Sequence, residues 1–332
     1  MNPSDSPRIG IDLGGTKIEG ILLDPSGDIR VRQRVQTPQE DYQAILATIK
    51  KLVESFPGHQ GLPVGIGTPG SVSRVSPMMR NSNSVCLNNK PLLADLNAML
   101  GRPVRLANDA NCFALSEASD GAAAKENSAQ ENVAKEKTVN EHIVFGVILG
   151  TGVGGGLCIN GKVLEGINGI AGEWGHNPLP NTALQLASEH HLQTTRSCFC
   201  GAENCIETWL SGPALISTYR EISQLKGSQN QSADSFINGE MIDELARDDD
   251  HNANQALELY TAQLSIALAT VINIIDPSHI VFGGGLSNIE RLYTDLPEHL
   301  AQWVFSDHLD TRIIQAKHGD SSGVRGAAWL WP

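Results

Sequence analysis

The chain has 332 residues, and its 24 Lys+Arg stand against 37 Asp+Glu, a formal net charge of −13. Nucleic acid and anionic membrane surfaces are held by clustered cations, so this balance argues against both as partners and points to a small molecule. With 40% hydrophobic residues and 33 glycines, the chain is long enough for two ordinary domains, each with its own core.

Taken in chain order, the start MNPSDSPRIGIDL has neither a basic n-region nor an apolar h-region, and no apolar run is read as reaching membrane-spanning length, so a cytoplasmic protein is expected. RIGIDLGGTKIEGILLD, 8 to 24, reads as a strand, a glycine turn and a second strand. Helical patterns at 40 to 55, 91 to 100 and 110 to 119 alternate with strands in PVGIGTPG, 63 to 70, and PVRLA, 103 to 107, which predicts an α/β first domain. GAAAKENSAQENVAKEKTVNEH, 121 to 142, is almost free of large apolar residues and reads as a solvated insertion or linker at a domain boundary. HIVFGVILGTGVGGGLCINGKVL, 142 to 164, repeats the opening plan and carries an Asn-Gly hairpin signal at 160 and 161. A long helical pattern at 253 to 275, a buried strand HIVFG at 279 to 283 and a helix from about 287 complete the second half. The two halves share one plan, which suggests duplication.

Six cysteines divide into two groups. Cys86, Cys112 and Cys158 lie singly in apolar segments and read as small core residues. Cys198, Cys200 and Cys205, in SCFCGAENCIE, form a C-x-C-x4-C group that, in a reducing compartment, points to metal binding before disulfide formation. A structural zinc needs a fourth ligand, and spacing alone leaves His176, His190 and His191 as candidates.

The glycine turns exclude two common nucleotide motifs. GTGVGG, 150 to 155, is followed by a strand where the dinucleotide fingerprint requires a helix, and GGTK, 14 to 17, lacks the P-loop spacing. What remains is a pair of tight turns whose backbone N–H groups can face a phosphate, with the Thr16 and Thr151 hydroxyls as further donors.

IGIDLGGTK, LANDANCFALSEA, ILGTGVGGG, GEWGHNPLP, CFCGAENCIE and IVFGGGLS, in this order across nearly the whole chain, closely resemble the ROK family of bacterial sugar kinases. The resemblance implies an α/β, actin-like (ribonuclease H-like) two-domain ATPase fold with a small zinc-binding loop. ATP would bind between the domains and a hexose deep in the cleft. The implied division is residues 1–120 with 320–332 packing back on them, an insertion at 121–142, and a second domain at 143–319. A homodimer is expected, as is common in the family.

Phosphoryl transfer to a sugar hydroxyl needs a base, a cation and accurate positioning. By resemblance Asp109 is the base, although its place at the start of a helical stretch also suits an N-cap. Asp12 would engage Mg²⁺ through water, and Gly14, Gly15, Thr16, Lys17, Thr151, Gly152, Gly154 and Gly155 would face the phosphates of ATP. Gly284 and Gly285 match the family's adenosine-side turn. Asn83, Asn108, Asp109, Glu173, His176 and Glu207 match positions that meet the sugar. The resemblance selects His176 to complete a Zn²⁺ site with Cys198, Cys200 and Cys205. Asn204 stands where the family often has glycine; Asn tolerates the left-handed conformation, so the turn is expected to survive.

On substrate the motifs divide. DANCFALSEA and ILGTGVGGGL look like the family's N-acetylglucosamine kinases, whereas NSNSVCLNN, GEWGHNPLP and AKHGDSSGVRGAAWLWP look like its fructokinases, which also act on mannose. Because NSNS and GEWGHNP lie where the sugar is read, with Trp174, Asn177 and Pro178 expected to wall out an acetamido group, the sequence favours fructose 6-phosphorylation with mannose second. An N-acetylglucosamine kinase or a broad hexokinase or glucokinase is the alternative, and a non-catalytic sugar-sensing regulator the alternative of a different class.

Overall fold

The computed structural model describes residues 6–124, 142–225 and 237–331. In chain order the first half runs β1 (Arg8–Leu13), β2 (Lys17–Leu23), β3 (Ile29–Gln36), α1 (Tyr42–Glu54), β4 (Val64–Thr68), β5 (Ser71–Val72), β6 (Met79–Arg80), α2 (Leu92–Leu100), β7 (Val104–Asn108) and α3 (Asp109–Ser119). The second half runs β8 (Ile143–Leu149), β9 (Val153–Ile159), β10 (Lys162–Val163), α4 (Asn181–Glu189), α5 (Glu207–Leu210), α6 (Gly212–Leu225), α7 (Gly239–Arg247), α8 (His251–Ile275), β11 (His279–Gly283), α9 (Arg291–Thr294), α10 (Leu296–Ala301), β12 (Arg312–Gln315) and α11 (Ser322–Trp329).

The duplicated plan is visible in the strand orders, β3-β2-β1-β4-β7 in one sheet and β10-β9-β8-β11-β12 in the other. In the first, β1 to β3 form an antiparallel meander and β4 and β7 follow parallel to β1. Packing divides the chain into two compact units: the first comprises the residues up to Gly146, Gly156–Gly172 and those from Lys317 onward, the second Val147–Gly155 and Glu173–Ala316. The segment 156–172, assigned from the sequence to the second domain, groups with the first. The expected insertion falls almost entirely outside the described residues.

In the first unit, the fully buried Ile9, Ile11, Ile18, Val64 and Ile66 of the sheet meet Ile45, Ile49 and Leu96 of α1 and α2 in one core. Asp41 caps α1, its carboxylate accepting the Ala44 N–H at 2.9 Å. The β3 edge alternates polar and half-buried residues, which a search for apolar runs does not detect. Arg32 and Arg34 from this edge pair with the buried Glu19 of β2.

The C-terminal helix α11 packs on α3, β1 and β4, as the resemblance implies. Backbones touch here: a Cβ added to Gly65 would stand 1.8 Å from the Ala327 carbonyl oxygen, so only glycine fits. Polar contacts fix the same segment. Buried Glu117 accepts the Ser322 hydroxyl at 2.7 Å and the Lys317 N–H at 3.0 Å, and Arg325 pairs with Asp120. Arg8 and Arg105 lie over the rings of Trp329 and Trp331 at 4.3 and 4.1 Å.

In the second unit α8 is long and apolar enough to cross a membrane by length and composition, contrary to the expectation that no apolar run reaches that length. Yet 67% of its most apolar window is buried within the protein, so it is a core helix. Its Tyr260 hydroxyl donates to the Leu210 carbonyl at 2.8 Å, and its Gln263 amide to the Ala183 carbonyl at 3.0 Å. The helix expected from about 287 is broken into a 3₁₀ turn at Gly285–Asn288 and the short α9 and α10; Pro297 near the start of α10 marks the second of these.

Candidate functional site

In the first unit Asp12 is the one half-buried residue of β1, just before the buried Leu13, and stands in register with Gly67 of β4, which in turn pairs with Ala107 of β7. This brings Asp12 near the β7–α3 junction that carries Asp109. Burial first, and the charge of Asp109 second, push the Asp12 carboxyl up to about 6. A Cβ on Gly323, at the start of α11, would stand 3.6 Å from an Asp12 carboxylate oxygen. Cys112, fully buried as expected, has its thiol pushed up by burial and then by Asp12 and Asp109. A buried carboxyl whose ionisation is opposed by a neighbouring carboxylate suits a place where a divalent cation would sit.

A carboxyl whose pKa rises on folding holds its proton more tightly in the folded state. Its ionised form therefore costs stability above about pH 6, and the cost disappears below the unfolded value near 4. In Mg²⁺-free buffer, Asp12→Asn is expected to stabilise the fold by on the order of 2 kcal/mol at pH 8 and by almost nothing at pH 4. Thermal melts of both proteins across that range would show the difference; equal melting temperatures at pH 8 would mean that Asp12 is not opposed in the fold.

The sequence allows Asp109 to be a helix cap, but the cap is Asn108: its Oδ1 accepts the Ala110 N–H at 2.8 Å, while its amide donates to the Gly70 carbonyl at 3.2 Å. Asp109 is the first helical residue, where its charge meets the positive end of α3. Asn83 is exposed, in a segment held by Asn88, which accepts the Ser82 N–H and donates to the Ser82 carbonyl, each at 2.9 Å. Around Gly14–Lys17 the Gly14 N–H donates to the Lys17 carbonyl at 3.1 Å. The Thr37 hydroxyl donates to Gly14 O and the Gln39 amide to Gly15 O, both at 2.8 Å. Thr16 and Lys17 are exposed beside this brace. Asn88, Thr37 and Gln39 carry no motif, and only their side-chain amides and hydroxyl near turns could have flagged them.

In the second unit His176 joins Cys198, Cys200 and Cys205, with all four ligand atoms within 4.8 Å of one another. His176 Nδ1 lies 3.6 Å from Cys198 Sγ, and Cys200 Sγ lies 3.6 Å from Cys205 Sγ. A tetrahedral zinc with Zn–S bonds near 2.3 Å sets its sulfur ligands about 3.8 Å apart, so the donor set and spacing fit a closed Cys3His site. His190 is turned to Gln255, at 2.6 Å, and the backbone of His191 is left-handed. A hydrogen bond from the Ala202 backbone, followed by the neighbouring cysteines, pulls the Cys200 thiol down to about 7, toward the ligand form. Asn204 adopts φ 56°, as the turn requires, and its side chain accepts from Arg196 N–H at 2.9 Å and Trp209 Nε1 at 3.2 Å while donating to Thr194 O at 2.9 Å. A glycine could make none of these three bonds.

The turn 150–155 lies in this unit. Glu207 Oε2 accepts the Val153 N–H at 2.9 Å, and Trp174 Nε1 donates to the Gly154 carbonyl at 3.1 Å. Trp174, expected in the wall that meets the sugar, is buried, at 4% exposure, and its N–H donates to this turn. Glu173 and Asn177 are exposed. Thr151 is also exposed, at the tip of the turn. Gly284, with φ 82°, abuts the carbonyl of Leu149, where a Cβ would stand at 2.5 Å, and Gly285 opens onto free space.

Comparison with known proteins agrees with this architecture. The ROK family's sequence profile matches residues 8–332. An N-acetyl-D-glucosamine kinase of Pasteurella multocida (strain Pm70) is 39% identical over 328 residues, 98% of this chain and 99% of that protein. Another, of Salmonella newport (strain SL254), is 38% identical over 323 residues, 97% of this chain and 98% of that protein. Among solved structures, a ROK family glucokinase from Streptomyces griseus in complex with glucose and AMPPNP superposes with a TM-score of 0.70 at 26% identity, covering 98% of this chain and 99% of that one. The repeated sheet order is thus the actin-like plan, and the chain belongs to the ROK family of sugar kinases.

Proposed function

We propose that the protein transfers the γ-phosphoryl group of ATP to the 6-hydroxyl of N-acetylglucosamine. The observation that carries this reading is the full-length similarity, 38–39% over 97–98% of the chain, to kinases of that sugar. The sequence preference for fructose leaned on a wall containing Trp174, and that ring is buried against the 150–155 turn. Fructose, with mannose second, remains the second reading, supported by the NSNS segment and GEWGHNPLP.

In this reaction Asp109 takes the proton of the 6-hydroxyl as the oxygen attacks, and Asn83, Asn108, Glu173, His176 and Glu207 orient the sugar. Backbone N–H groups of 14–17 and 150–155 receive the phosphates, Lys17 adds a positive charge and Gly284 with Gly285 borders the adenosine. Asp12 would hold hydrated Mg²⁺, which supplies charge neutralisation on the transferring group. A closed Cys3His zinc leaves no position for substrate, so its contribution is to hold the loops that carry these side chains.

The test is kcat/KM for N-acetylglucosamine, glucose, fructose and mannose at saturating Mg·ATP, read by coupled ADP release. N-acetylglucosamine is expected to lead by about tenfold or more, the discrimination a pocket shaped for one substituent can supply. A lead for fructose would restore the second reading, and absence of ADP release with any hexose would favour a non-catalytic regulator.

A further inference from the structure

We propose that Trp174 and Glu207 are positioning residues for the turn 150–155, so that the two segments joined at the cysteine–histidine cluster set nucleotide affinity as well as sugar binding. The proposal rests on the reading that this turn receives the phosphates of ATP.

The turn has little of its own to hold one shape. Four of its six residues are glycine, and inside it a single backbone bond, Gly150 N–H to the Gly152 carbonyl at 3.0 Å, is made. Glycine-rich backbone is costly to order, at about 1–2 kcal/mol per residue fixed, and a turn left loose would incur that cost on binding phosphate. The order is supplied from outside. Glu207 accepts the Val153 N–H at 2.9 Å, Trp174 donates to the Gly154 carbonyl at 3.1 Å, and Gly212 N–H donates to the Gly150 carbonyl at 2.8 Å. Contact is close enough to select residue type. A Cβ on Gly152 would meet the Glu207 carboxylate at 2.4 Å, and one on Gly175 would meet the Val153 carbonyl oxygen at 2.0 Å.

These side-chain anchors flank the metal ligands. Trp174 stands two residues before His176, and Glu207 two after Cys205. The two segments are themselves stitched together beside the ligands: Ile206 N–H donates to the Asn177 carbonyl at 2.8 Å, Cys205 Sγ lies 3.5 Å from the His176 carbonyl oxygen, and Pro178 pairs with Cys205. Fixing His176 to the cysteines therefore fixes both anchors at once. The buried indole aims its only polar group at the turn, which makes Trp174 the probe of this function.

The experiment is calorimetric titration of a non-hydrolysable Mg·ATP analogue into the wild-type protein, Trp174→Phe, Glu207→Ala and Glu207→Gln, with zinc content and sugar Kd measured in parallel. Trp174→Phe keeps the aromatic bulk and loses one hydrogen bond. It is expected to bind the analogue about 3- to 10-fold more weakly, with zinc content and sugar Kd unchanged within about twofold. Glu207→Ala should show the same nucleotide loss and Glu207→Gln should recover it, because the amide oxygen can accept the Val153 N–H even if sugar affinity stays impaired. Should Trp174→Phe fold poorly, the Ala and Gln pair alone decides. Wild-type nucleotide affinity in Trp174→Phe, an equal loss of nucleotide and sugar affinity in that variant, or no recovery by Glu207→Gln would overturn the proposal. A wild-type protein that does not bind the analogue would instead refute the kinase reading on which it rests.

Discussion

Asp109→Asn is expected to lower kcat by roughly two to four orders of magnitude while the sugar Kd changes by less than about threefold. The amide keeps the shape and the hydrogen-bonding reach of the carboxylate but cannot hold a proton taken from a hydroxyl at neutral pH. Because Asn108 already caps α3, the fold does not depend on Asp109 for that purpose. Only the favourable placement of a negative charge at the helix start is lost, about 0.5 kcal/mol. A stable variant with the turnover of the wild type would show that Asp109 serves the helix and nothing more. Single-turnover kinetics with sugar in excess would separate the chemical step from product release.

Cys200→Ser is expected to remove the metal and much of the thermal stability. Elemental analysis of the wild-type protein should give one zinc per chain, and the variant should give none. Cys200 is itself exposed, so the loss cannot come from an emptied core. It would come from releasing the segments around His176 and Cys205, whose neighbours Trp174, Ile206 and Trp209 are buried. Binding energy of a structural zinc is folding energy, and a deficit of several kcal/mol would lower Tm by on the order of 10 °C. Zinc-free native protein with the melting temperature of the variant would refute the site.

Much of this was legible in advance because the signals were local. β1, β2, α1, β4, α2 and β11 were read to within two residues, since each is an apolar run or a 3.6-residue pattern bounded by Gly, Pro or a capping residue. β3 escaped because an edge strand with alternating Arg and Gln buries nothing fully. The helices α4 and α6 escaped for a related reason: their apolar faces are interrupted by Ser, Thr and Gln; α7 is a nine-residue helix with few apolar residues, and all three gain burial by packing on α8. Cys86 was read as a core residue and is only half-buried. In the candidate site the four clustered ligands could be narrowed by spacing to three cysteines and three histidines, but the choice of His176 needed either a resemblance or coordinates. The tertiary partners of a turn leave no trace in its own letters. Nothing in GTGVGG announces that Glu207, more than fifty residues away, accepts the Val153 N–H, and Trp174 looked like a substrate wall because its neighbours are sugar-reading residues in the resembling family.

The central claim is that the chain moves the γ-phosphoryl group of ATP to the 6-hydroxyl of a hexose, and the most direct measurement compares N-acetylglucosamine with its 6-deoxy analogue. Product is followed by mass and by ADP release. One sugar phosphate per ADP from N-acetylglucosamine, and neither product from the 6-deoxy sugar, is the predicted result. ADP release that continues undiminished with the 6-deoxy sugar, or that needs no sugar at all, would contradict it.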